Sequence, residues 1–347
     1  MIYASLRCLD FKDNEVFVSG KGRNNGEFFL PYGQLREGFL AEGIELNTPD
    51  VNAGRKVAFE FHINAQRRPP RGKAYAYLYE NPLIRPLNRD RSVLANYDRW
   101  FGWDEALSDD ARFVRVPYPN AFPAWPLAGP ERRPLFCVLV ASNKALATHD
   151  ERDQYKERVR LIDWYERHAP ADFHLYGKGW EVGASRPGRW GRLLGKAALL
   201  LAKLGRPRSP YATWHGMVDD KIELLSRSRF CLAHENCRDL SGYVTEKLFD
   251  CFRAGCVPVY VGPKEIRDLV PAGCFIDGRD YPHPEDLDAY LRSIDDGRYR
   301  AYQQAAKAYF DSGQAERFGR PHFVRSIVQG VLADLGQARG PNLRCGG

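Results

Sequence analysis

The sequence lacks any apolar run long enough to cross a membrane. Its longest apolar runs, Leu135–Ala141 and Ala197–Ala202, fall far short of the roughly 20 residues that a transmembrane helix needs. The N-terminus also lacks the basic, apolar and small-residue regions of a secretory signal peptide. These absences predict a cytoplasmic protein that is either free in solution or peripheral at a membrane.

No pair among the eight cysteines has the Cys-x-x-Cys spacing that is typical of zinc sites and redox motifs. Most of them lie inside apolar runs, as Cys137 does within Leu135–Ala141. We therefore expect buried, reduced thiols, and a metal or disulfide framework is the less favoured alternative.

The formal net charge of +7 suggests an anionic partner, which could be nucleic acid, an acidic membrane or a phosphorylated small molecule. Much of the excess charge lies in two clusters, one between Arg67 and Lys73 and one between Arg186 and Arg208. Between them the signs are mixed, and no long basic stripe suited to a nucleic-acid duplex is present. Only the net charge supports a nucleic-acid-binding function.

The chain is longer than the size at which one hydrophobic core usually keeps growing, so two domains are expected. Six prolines between Pro117 and Pro134 would interrupt a helix or an inner strand, and we place the boundary there. The predicted domains are residues 1–130 and 131–315, followed by a C-terminal helix and tail over 316–347.

Short β-rich runs dominate the first half, and strands and helices alternate in the second half. The predicted strands are 57–63, 74–79, 113–118, 135–141, 173–176, 230–233 and 257–261. The predicted helices are 91–100, 151–168, 219–226, 245–253, 284–294, 301–308 and 322–335. The alternation in the second half predicts a parallel sheet with helices on both faces, which binds ligands at the carboxyl ends of its strands.

The segment Phe230–Pro263 carries the clearest chemistry. Thr245 is a predicted N-cap that puts Glu246 and Lys247 in the first turn of a helix, and Gly255 ends that helix. A helix N-terminus beside a lysine favours a diphosphate, and a carboxylate accepts hydrogen bonds from sugar hydroxyls. The pattern indicates an anion site beside a polyol site, with an ordinary surface ion pair between Glu246 and Lys247 as an equally open alternative.

The same segment resembles the donor-site motif of the α1,3/4-fucosyltransferase family, glycosyltransferase family 10. That motif reads approximately Phe-x-Leu-x-Phe-Glu-Asn-Ser, a short loop, Tyr-Val/Ile-Thr-Glu-Lys, a helix and Val-Pro-Val-x-x-Gly. The matching residues are Phe230, Leu232, Glu235, Asn236, Tyr243–Lys247, Val257–Val259 and Gly262. His234 stands where the family has Phe, and the loop between Asn236 and Tyr243 is longer, so both departures could alter contacts with the donor sugar.

Two further segments resemble the family more faintly. Leu139–Asn143 is similar to a strand that precedes an arginine contacting the donor diphosphate; Arg158 is the best match to that arginine and Arg160 is its rival. Tyr176–Gly179 resembles a strand-Tyr-Gly turn, which implies donor contacts from Gly177 and Lys178. A simple tight turn is the alternative interpretation of these glycines.

Tyr79–Pro82 falls where the family has a strand-terminal glutamate, which implies that Glu80 is the catalytic base. The alternative is that Glu80 merely caps a loop. For the donor, the resemblance implies that Arg158 and Lys247 stabilise the departing diphosphate. It further implies that Asn236 and Tyr243 orient the diphosphate and sugar, and that Glu246 binds ribose or sugar hydroxyls.

The resemblance implies an α/β fold of two Rossmann-like domains facing a cleft, the GT-B glycosyltransferase fold, with the acceptor on the first domain and the donor on the second. It implies inverting transfer of L-fucose from GDP-fucose to a glycan hydroxyl, in an α1,3-type linkage, in bacterial surface polysaccharide or lipopolysaccharide synthesis. Another GDP-sugar donor, or a non-catalytic nucleotide- or sugar-binding module, remains open.

No persuasive Asp-x-Asp metal motif is present. Asp286 and Asp288 match the letters, but they lie within a predicted helix and are interpreted as a solvated face. We therefore expect no obligatory divalent metal and no cofactor other than the GDP-sugar substrate.

Residues 186–208 are an insertion relative to the family pattern and predict a basic amphipathic helix. Trp190, Leu193, Leu194, Ala197, Leu201 and Leu204 fall on one side of the helical wheel, and Arg192, Lys196 and Lys203 lie opposite. Such a helix suits an anionic membrane surface, where lipid-linked acceptors reside. A helix packed on the donor domain with its cations in solvent is the alternative.

Overall fold

The computed structural model describes residues 1–8, 11–18, 29–68, 70–185, 188, 191, 193–194, 197–198, 200 and 209–336. The chain forms two compact units. The first contains Met1–Pro119 and the C-terminal segment that begins at Arg317, and the second contains Asn120–Glu316. Each unit is built on a parallel β-sheet, which confirms the predicted pair of α/β domains.

The first unit holds a six-stranded sheet in the order β2-β1-β3-β4-β5-β6. Its strands are β1 Ile2–Arg7, β2 Ile44–Asn47, β3 Val57–Ile63, β4 Lys73–Leu78, β5 Arg99–Gly102 and β6 Phe113–Arg115. Its helices are α1 Leu30–Ala41, α2 Arg91–Leu94 and the terminal helix α9 Arg320–Asp334. Phe323, Ile327 and Val331 of α9 are buried in the core of this unit. This packing explains why the terminal helix belongs to the first unit and is not a separate tail.

The second unit holds a five-stranded sheet in the order β11-β10-β9-β7-β8. Its strands are β7 Leu135–Val140, β8 Phe173–Tyr176, β9 Ser228–His234, β10 Val257–Val261 and β11 Ile276–Asp277. Its helices are α3 Gln154–His168, α4 Lys221–Ser226, α5 Glu246–Ala254, α6 Ile266–Leu269, α7 Pro284–Ser293 and α8 Asp296–Asp311. All pairings are parallel, so the carboxyl ends of the strands meet at one edge.

The ends of α5 follow from its sequence. Thr245 is the N-cap residue, and its side chain accepts a hydrogen bond from the Lys247 N–H. Gly255 ends the helix with φ +69°, a left-handed conformation that glycine adopts without strain. Both predicted helix boundaries are confirmed, and Glu246 and Lys247 lie in the first turn.

The predicted helix over 91–100 is wrong in its second half. The helix ends at Leu94, and the chain then enters strand β5, in which Trp100 and Phe101 are fully buried. Aromatic side chains favour a strand that is covered on both faces. The side-chain amide of Asn96 bonds back to the Val93 carbonyl at 3.0 Å, which marks the end of the helical turn.

The interpretation of Asp286 and Asp288 as a solvated face is wrong for Asp288. Both residues lie on α7, where Asp286 is exposed but Asp288 is buried. The Asp288 carboxylate pairs with the Arg292 side chain one turn later at 2.7 Å. Within the described part of the chain, no group of three or more His, Cys, Asp or Glu side chains could hold a metal ion.

Most of the predicted amphipathic insert lies outside the described residues, including Trp190, Arg192, Lys196, Leu201, Lys203 and Leu204. The described positions Leu193, Leu194 and Leu200 are exposed. No helix among the described residues is both long enough and apolar enough to span a bilayer.

A buried ionic network lies within the first unit. The Glu60 carboxylate, which is 8% exposed, accepts hydrogen bonds from Arg7 Nε at 2.9 Å and from His62 Nε2 at 3.0 Å. His62 Nδ1 lies 2.8 Å from the Tyr97 hydroxyl. The hydrogen bond from His62 and the charge of Arg7 outweigh burial and lower the pKa of Glu60 from 4.5 to about 2.

This network predicts a pH-dependent stability. Because the pKa of Glu60 is lowered in the folded protein, its contribution is fully present above pH 4.5 and is lost as the pH falls towards 2. At about 1.4 kcal/mol per pKa unit, this contribution is about 3 kcal/mol. We expect Glu60→Gln to lower the free energy of unfolding at pH 7, measured by urea denaturation, and to differ little from the wild type near pH 2.

The exposed Glu37 on α1 offers the matched control. Glu37→Gln is expected to leave both the stability and its pH profile unchanged. A gap between wild type and Glu60→Gln that stays constant from pH 7 to pH 2 would contradict the assignment.

Candidate active site

The carboxyl edge of the second sheet gathers most of the predicted donor residues. Arg158 lies in the second turn of α3, and its guanidinium donates to the carbonyl of His234 and to Asn236 Oδ1, the latter at 3.1 Å. It is 4% exposed, and Glu235, Tyr243 and Lys247 all act on it electrostatically. One crevice therefore holds the end of β9, the start of α3 and the start of α5.

Arg160 does not reach this crevice. Its Nε donates to the Glu157 carboxylate at 3.0 Å, and its guanidinium also donates to the Pro282 carbonyl at 2.8 Å on the exposed side of α3. Burial lowers the pKa of Arg158, whereas the hydrogen bond that Arg160 donates to Glu157 raises the pKa of Arg160. Of the two rival arginines, Arg158 is the one that contacts the motif.

Backbone hydrogen bonds join the start of α3 to the loop that follows β9. The Gln154 N–H donates to the Asn236 carbonyl at 3.1 Å, and the Arg238 N–H donates to the Arg152 carbonyl at 2.9 Å. Asp153 caps the helix by accepting from the Tyr155 N–H at 2.8 Å. These backbone contacts fix the position of Arg158 relative to Asn236.

Glu235 is the residue that organises the other side of the crevice. Its carboxylate is fully buried and accepts from the Thr245 N–H at 2.8 Å, the Thr245 hydroxyl at 2.8 Å and the Tyr260 hydroxyl at 2.9 Å. Lys247 Nζ lies 3.2 Å from it. In the sequence, Glu235 stood out only as the glutamate of the Glu-Asn pair in the motif. The sequence did not indicate its contacts with Thr245, Tyr260 and Lys247.

The charge of Lys247 is largely compensated within the protein. Its ammonium also lies 3.5 Å from the Glu246 carboxylate. Burial lowers the pKa of Lys247, but Glu235 and Glu246 more than offset this and hold it above its ordinary value. Lys247 therefore carries its positive charge inside an ion-pair cluster with Glu235 and Glu246.

Glu246 lies in the first turn of α5, and its side chain is 40% exposed. Burial raises its pKa, but the charges of Lys247 and Lys221 outweigh burial and lower the pKa to about 2. Tyr243 is 3% exposed just before the helix. The ionised Glu246 is suited to accept hydrogen bonds from hydroxyl groups.

Gly177 and Lys178 form a turn at the end of β8. Gly177 has φ +129°, and a Cβ there would stand 2.0 Å from the Ala141 carbonyl oxygen. Lys178 is exposed, and its carbonyl accepts from the Asn143 N–H at 2.9 Å. The close approach of the ends of β7 and β8 explains why a glycine is needed at position 177. This agrees with the tight-turn interpretation.

Five buried polar atoms at this edge of the second unit have no hydrogen-bond partner among the described residues. They are Asp153 Oδ2, Gln154 Oε1, Arg158 Nε and both ring nitrogens of His234. A buried polar atom left unpaired costs about 1–3 kcal/mol, so such atoms are uncommon in native proteins. Their grouping around Arg158 is typical of a site that a polar ligand completes.

A cavity of about 560 Å³ opens beside the first turns of α3, a size that suits a small-molecule ligand. None of the predicted donor residues is among the described residues that line it. Asp153, Tyr155 and Val159 line it from the helix, and Val182 and Leu194 are among the residues on its other walls. Its lining is mainly apolar with a few polar groups, which is typical of ligand pockets.

Glu80 belongs to the first unit and follows β4. Its N–H donates to Asn64 Oδ1 at 2.8 Å, and its carbonyl accepts from Asn88 Nδ2 at 2.7 Å. The carboxylate is half-buried and accepts from the Asn81 N–H at 3.0 Å. The backbone is thus rigidly held, and the carboxylate takes part in the local turn, as the loop-cap alternative expected.

The contacts of Glu235 predict that a neutral replacement destabilises the second unit. In Glu235→Gln, the amide nitrogen must face donors from Thr245, Tyr260 or Lys247, and the ion pair with Lys247 is lost. We expect the free energy of unfolding to fall by about 2 kcal/mol or more, measured by urea denaturation. Glu223→Gln on the exposed surface of α4 is the control. Equal stability of the two variants would contradict this role.

Comparisons with known proteins agree on the family. Residues 207–318 match the profile of the family described as Glycosyltransferase family 10 (fucosyltransferase) C-term. The human 4-galactosyl-N-acetylglucosaminide 3-alpha-L-fucosyltransferase 9 is 40% identical over 82 residues, which are 22% of this chain and 23% of that protein. The GDP-fucose protein O-fucosyltransferase 3 of Bos taurus is 39% identical over 89 residues, 24% of this chain and 18% of that protein. The matches thus span less than a quarter of these relatives.

Solved structures extend the likeness over both units. A crystal structure of an alpha1,3-fucosyltransferase with GDP has a TM-score of 0.54 and 15% identity, and covers 98% of this chain and 93% of that chain. A sucrose-phosphate synthase from Thermosynechococcus elongatus has a TM-score of 0.54 and 12% identity, with coverage of 97% and 99%. At such low identity these matches show the fold. Residues 207–318 are thus similar to the C-terminal domain of the glycosyltransferase family 10 fucosyltransferases, and the chain has a GT-B glycosyltransferase fold.

Proposed function

We propose that the chain is an inverting glycosyltransferase that moves L-fucose from GDP-fucose to a hydroxyl of a glycan acceptor, in an α1,3-type linkage. The observation that carries the proposal is the crevice around Arg158, where buried polar atoms have no hydrogen-bond partner in the described part of the chain. A family profile that covers α4 to α8 supports the same donor chemistry.

Arg158 is the proposed contact for the donor diphosphate. No carboxylate forms a direct ion pair with Arg158 within the described ranges of the chain, whereas Lys247 is held by two. The Arg158 Nε has no hydrogen-bond partner among the residues that the structure describes, so it can bond to a phosphate oxygen without breaking a contact seen there. As GDP departs and gains negative charge, a buried guanidinium stabilises that charge more than a solvated one would.

Inversion needs a single in-line displacement and a base that takes the proton of the acceptor hydroxyl. We propose Glu80 for this role, because its backbone is fixed on both sides and its side chain is half-buried. Such a base contributes on the order of 10²- to 10⁴-fold to the rate. Asn236 and Tyr243 are the proposed orienting groups for the diphosphate and sugar, and Glu246 for ribose or sugar hydroxyls.

A bacterial surface polysaccharide or lipopolysaccharide is the proposed setting of the acceptor, and the cytoplasm is the proposed location. Two alternatives remain: transfer from another GDP-sugar, and a non-catalytic nucleotide- or sugar-binding module. Thermal-shift screening with GDP, UDP, CDP and their sugars separates the donors, since a ligand at about 100 times its Kd stabilises the folded state by about 2.7 kcal/mol.

The direct test is incubation with GDP-fucose and lacto-type acceptors, followed by measurement of released GDP. We expect acceptor-dependent GDP release, and a fall of kcat by about 10²- to 10⁴-fold in Glu80→Gln with GDP affinity unchanged. Glu37→Gln, on the exposed face of α1, is the matched control. Addition of EDTA checks the expectation that no divalent metal is needed.

Binding of GDP without turnover would favour the non-catalytic module and reject the proposed transfer. An unchanged kcat in Glu80→Gln, with active wild-type protein, would reject Glu80 as the base and leave the transferase intact.

We further propose that residues 186–208 hold the protein at an anionic membrane surface. Leu193, Leu194 and Leu200 expose 57%, 62% and 63% of their surface, and the segment around them is rich in Arg and Lys. Exposed leucines beside cationic side chains are typical of a helix that binds in the lipid interface.

Sedimentation with liposomes tests this contact. We expect binding to anionic vesicles that weakens as salt is raised, little binding to neutral vesicles, and a loss of binding in the double variant Leu193→Gln, Leu194→Gln. Leu40→Gln, which changes an exposed leucine of α1, should bind like the wild type. Failure to bind anionic vesicles even at low salt would reject the membrane contact.

A further inference from the structure

His234 occupies the last position of β9 and is 4% exposed. Because side chains alternate along a strand, its ring lies on the same face as Phe230 and Leu232, which pack in the core against Leu161 and Ile162 of α3. Its ring edge lies beside the turn that follows β11, since a Cβ on Gly278 would stand 3.4 Å from His234 Nε2. The imidazole therefore sits between α3 and that turn, at the carboxyl edge of the sheet.

Neither ring nitrogen of His234 has a hydrogen-bond partner in the part of the chain that the structure describes. The buried His62 of the first unit shows the usual situation: its Nδ1 lies 2.8 Å from the Tyr97 hydroxyl and its Nε2 lies 3.0 Å from Glu60. Buried imidazoles are normally paired, because an unpaired nitrogen loses its hydration without replacement. His234 is thus available to a ligand in a way that His62 is not.

The ring is neutral at physiological pH. Burial together with the charges of Arg158, Arg160 and Arg279 lowers the pKa of His234 to about 3. A neutral imidazole offers one N–H donor and one lone-pair acceptor on opposite sides of the ring. A phosphate oxygen only accepts, so it can pair with one of these nitrogens and is repelled by the other. A hydroxyl group donates and accepts, so hydroxyls can pair with either.

A nucleotide sugar carries hydroxyls on both sides of its diphosphate, on the ribose and on the transferred sugar. The His234 carbonyl accepts from Arg158, and Asn236 follows two residues later, so His234 adjoins the proposed diphosphate contact. GDP retains the ribose and lacks the sugar, so a comparison of GDP with a GDP-sugar distinguishes the two groups.

We propose that the neutral imidazole of His234 hydrogen-bonds a hydroxyl of the donor sugar and thereby selects the sugar nucleotide that the chain accepts. This inference rests on the proposed function, since it assumes that the crevice binds a GDP-sugar. It assigns His234 to binding and specificity and gives it no part in the chemical step.

Calorimetric titration of the full chain with GDP, GDP-L-fucose and GDP-D-mannose tests the proposal. His234→Phe keeps a flat ring of similar size and removes both polar atoms. We expect its affinity for the preferred GDP-sugar to fall about tenfold, the amount that corresponds to the loss of about one hydrogen bond, with the affinity for GDP unchanged. In turnover assays KM for the donor should rise while kcat stays nearly constant.

Two variants complete the design. His234→Asn retains a donor and an acceptor on a shorter side chain and should recover part of the discrimination between GDP and the GDP-sugar. His168→Phe, which changes an exposed histidine at the end of α3, should titrate like the wild type.

Equal weakening for GDP and for the GDP-sugar would overturn the proposal, because it would assign His234 to the diphosphate or to packing. Unchanged binding of both ligands would also overturn it. Absence of binding of every GDP-sugar to the wild type would instead reject the proposed function itself, so the two failures are distinguishable.

If His234→Phe fails to fold, a measurement on the wild type still tests the contact between His234 and the donor sugar. Imidazole ¹⁵N signals of the eight histidines can be recorded with GDP and with the GDP-sugar, and His234→Asn identifies the signal of interest. A shift of that signal with the GDP-sugar and not with GDP supports the contact. Identical spectra with the two ligands would contradict it.

Discussion

The buried carboxylate of Glu235 is the interaction on which the donor crevice depends. It joins the end of β9 to the N-cap of α5, to Lys247 and to the Tyr260 hydroxyl of β10. A buried carboxylate is tolerated only when its lone pairs are occupied, and here each partner is also a part of the site. The N-terminus of α5 and its lysine are therefore held in place before any ligand arrives.

Because Lys247 is paired with carboxylates, the cation available to a bound anion among the described residues of the crevice is Arg158, on the other side. The lysine shares its charge with Glu235 and Glu246, whereas Arg158 is held mainly by the carbonyl of His234 and the amide of Asn236. These neutral partners orient the guanidinium without neutralising it. A positive charge held by neutral dipoles remains available to an anion, which is why Arg158 carries the proposed diphosphate contact.

The sequence predicted the local features of the site well. The Thr245 cap, the glycine end of α5 and the strands 57–63, 173–176 and 257–261 follow from short-range chemistry. The pairing of Arg158 with the motif was implied by the family resemblance. It failed where neighbours in space decide the outcome. Residues 91–100 contain helix formers, but the helix ends at Leu94 and the buried Trp100 belongs to strand β5. Asp288 is buried where Arg292 pairs with it.

The sequence by itself thus determined the alternating α/β elements and the ends of α5, because periodicity, capping and turn chemistry act over a few neighbouring positions. Its resemblance to a family motif implied most of the residues that border the crevice. Only the tertiary structure decided that Glu235 pairs with Lys247 and that Arg160 bonds to Glu157 and Pro282. It also decided that, among the described residues, neither ring nitrogen of His234 has a hydrogen-bond partner. These properties depend on burial and on contacts between residues distant in sequence, and no local pattern encodes them.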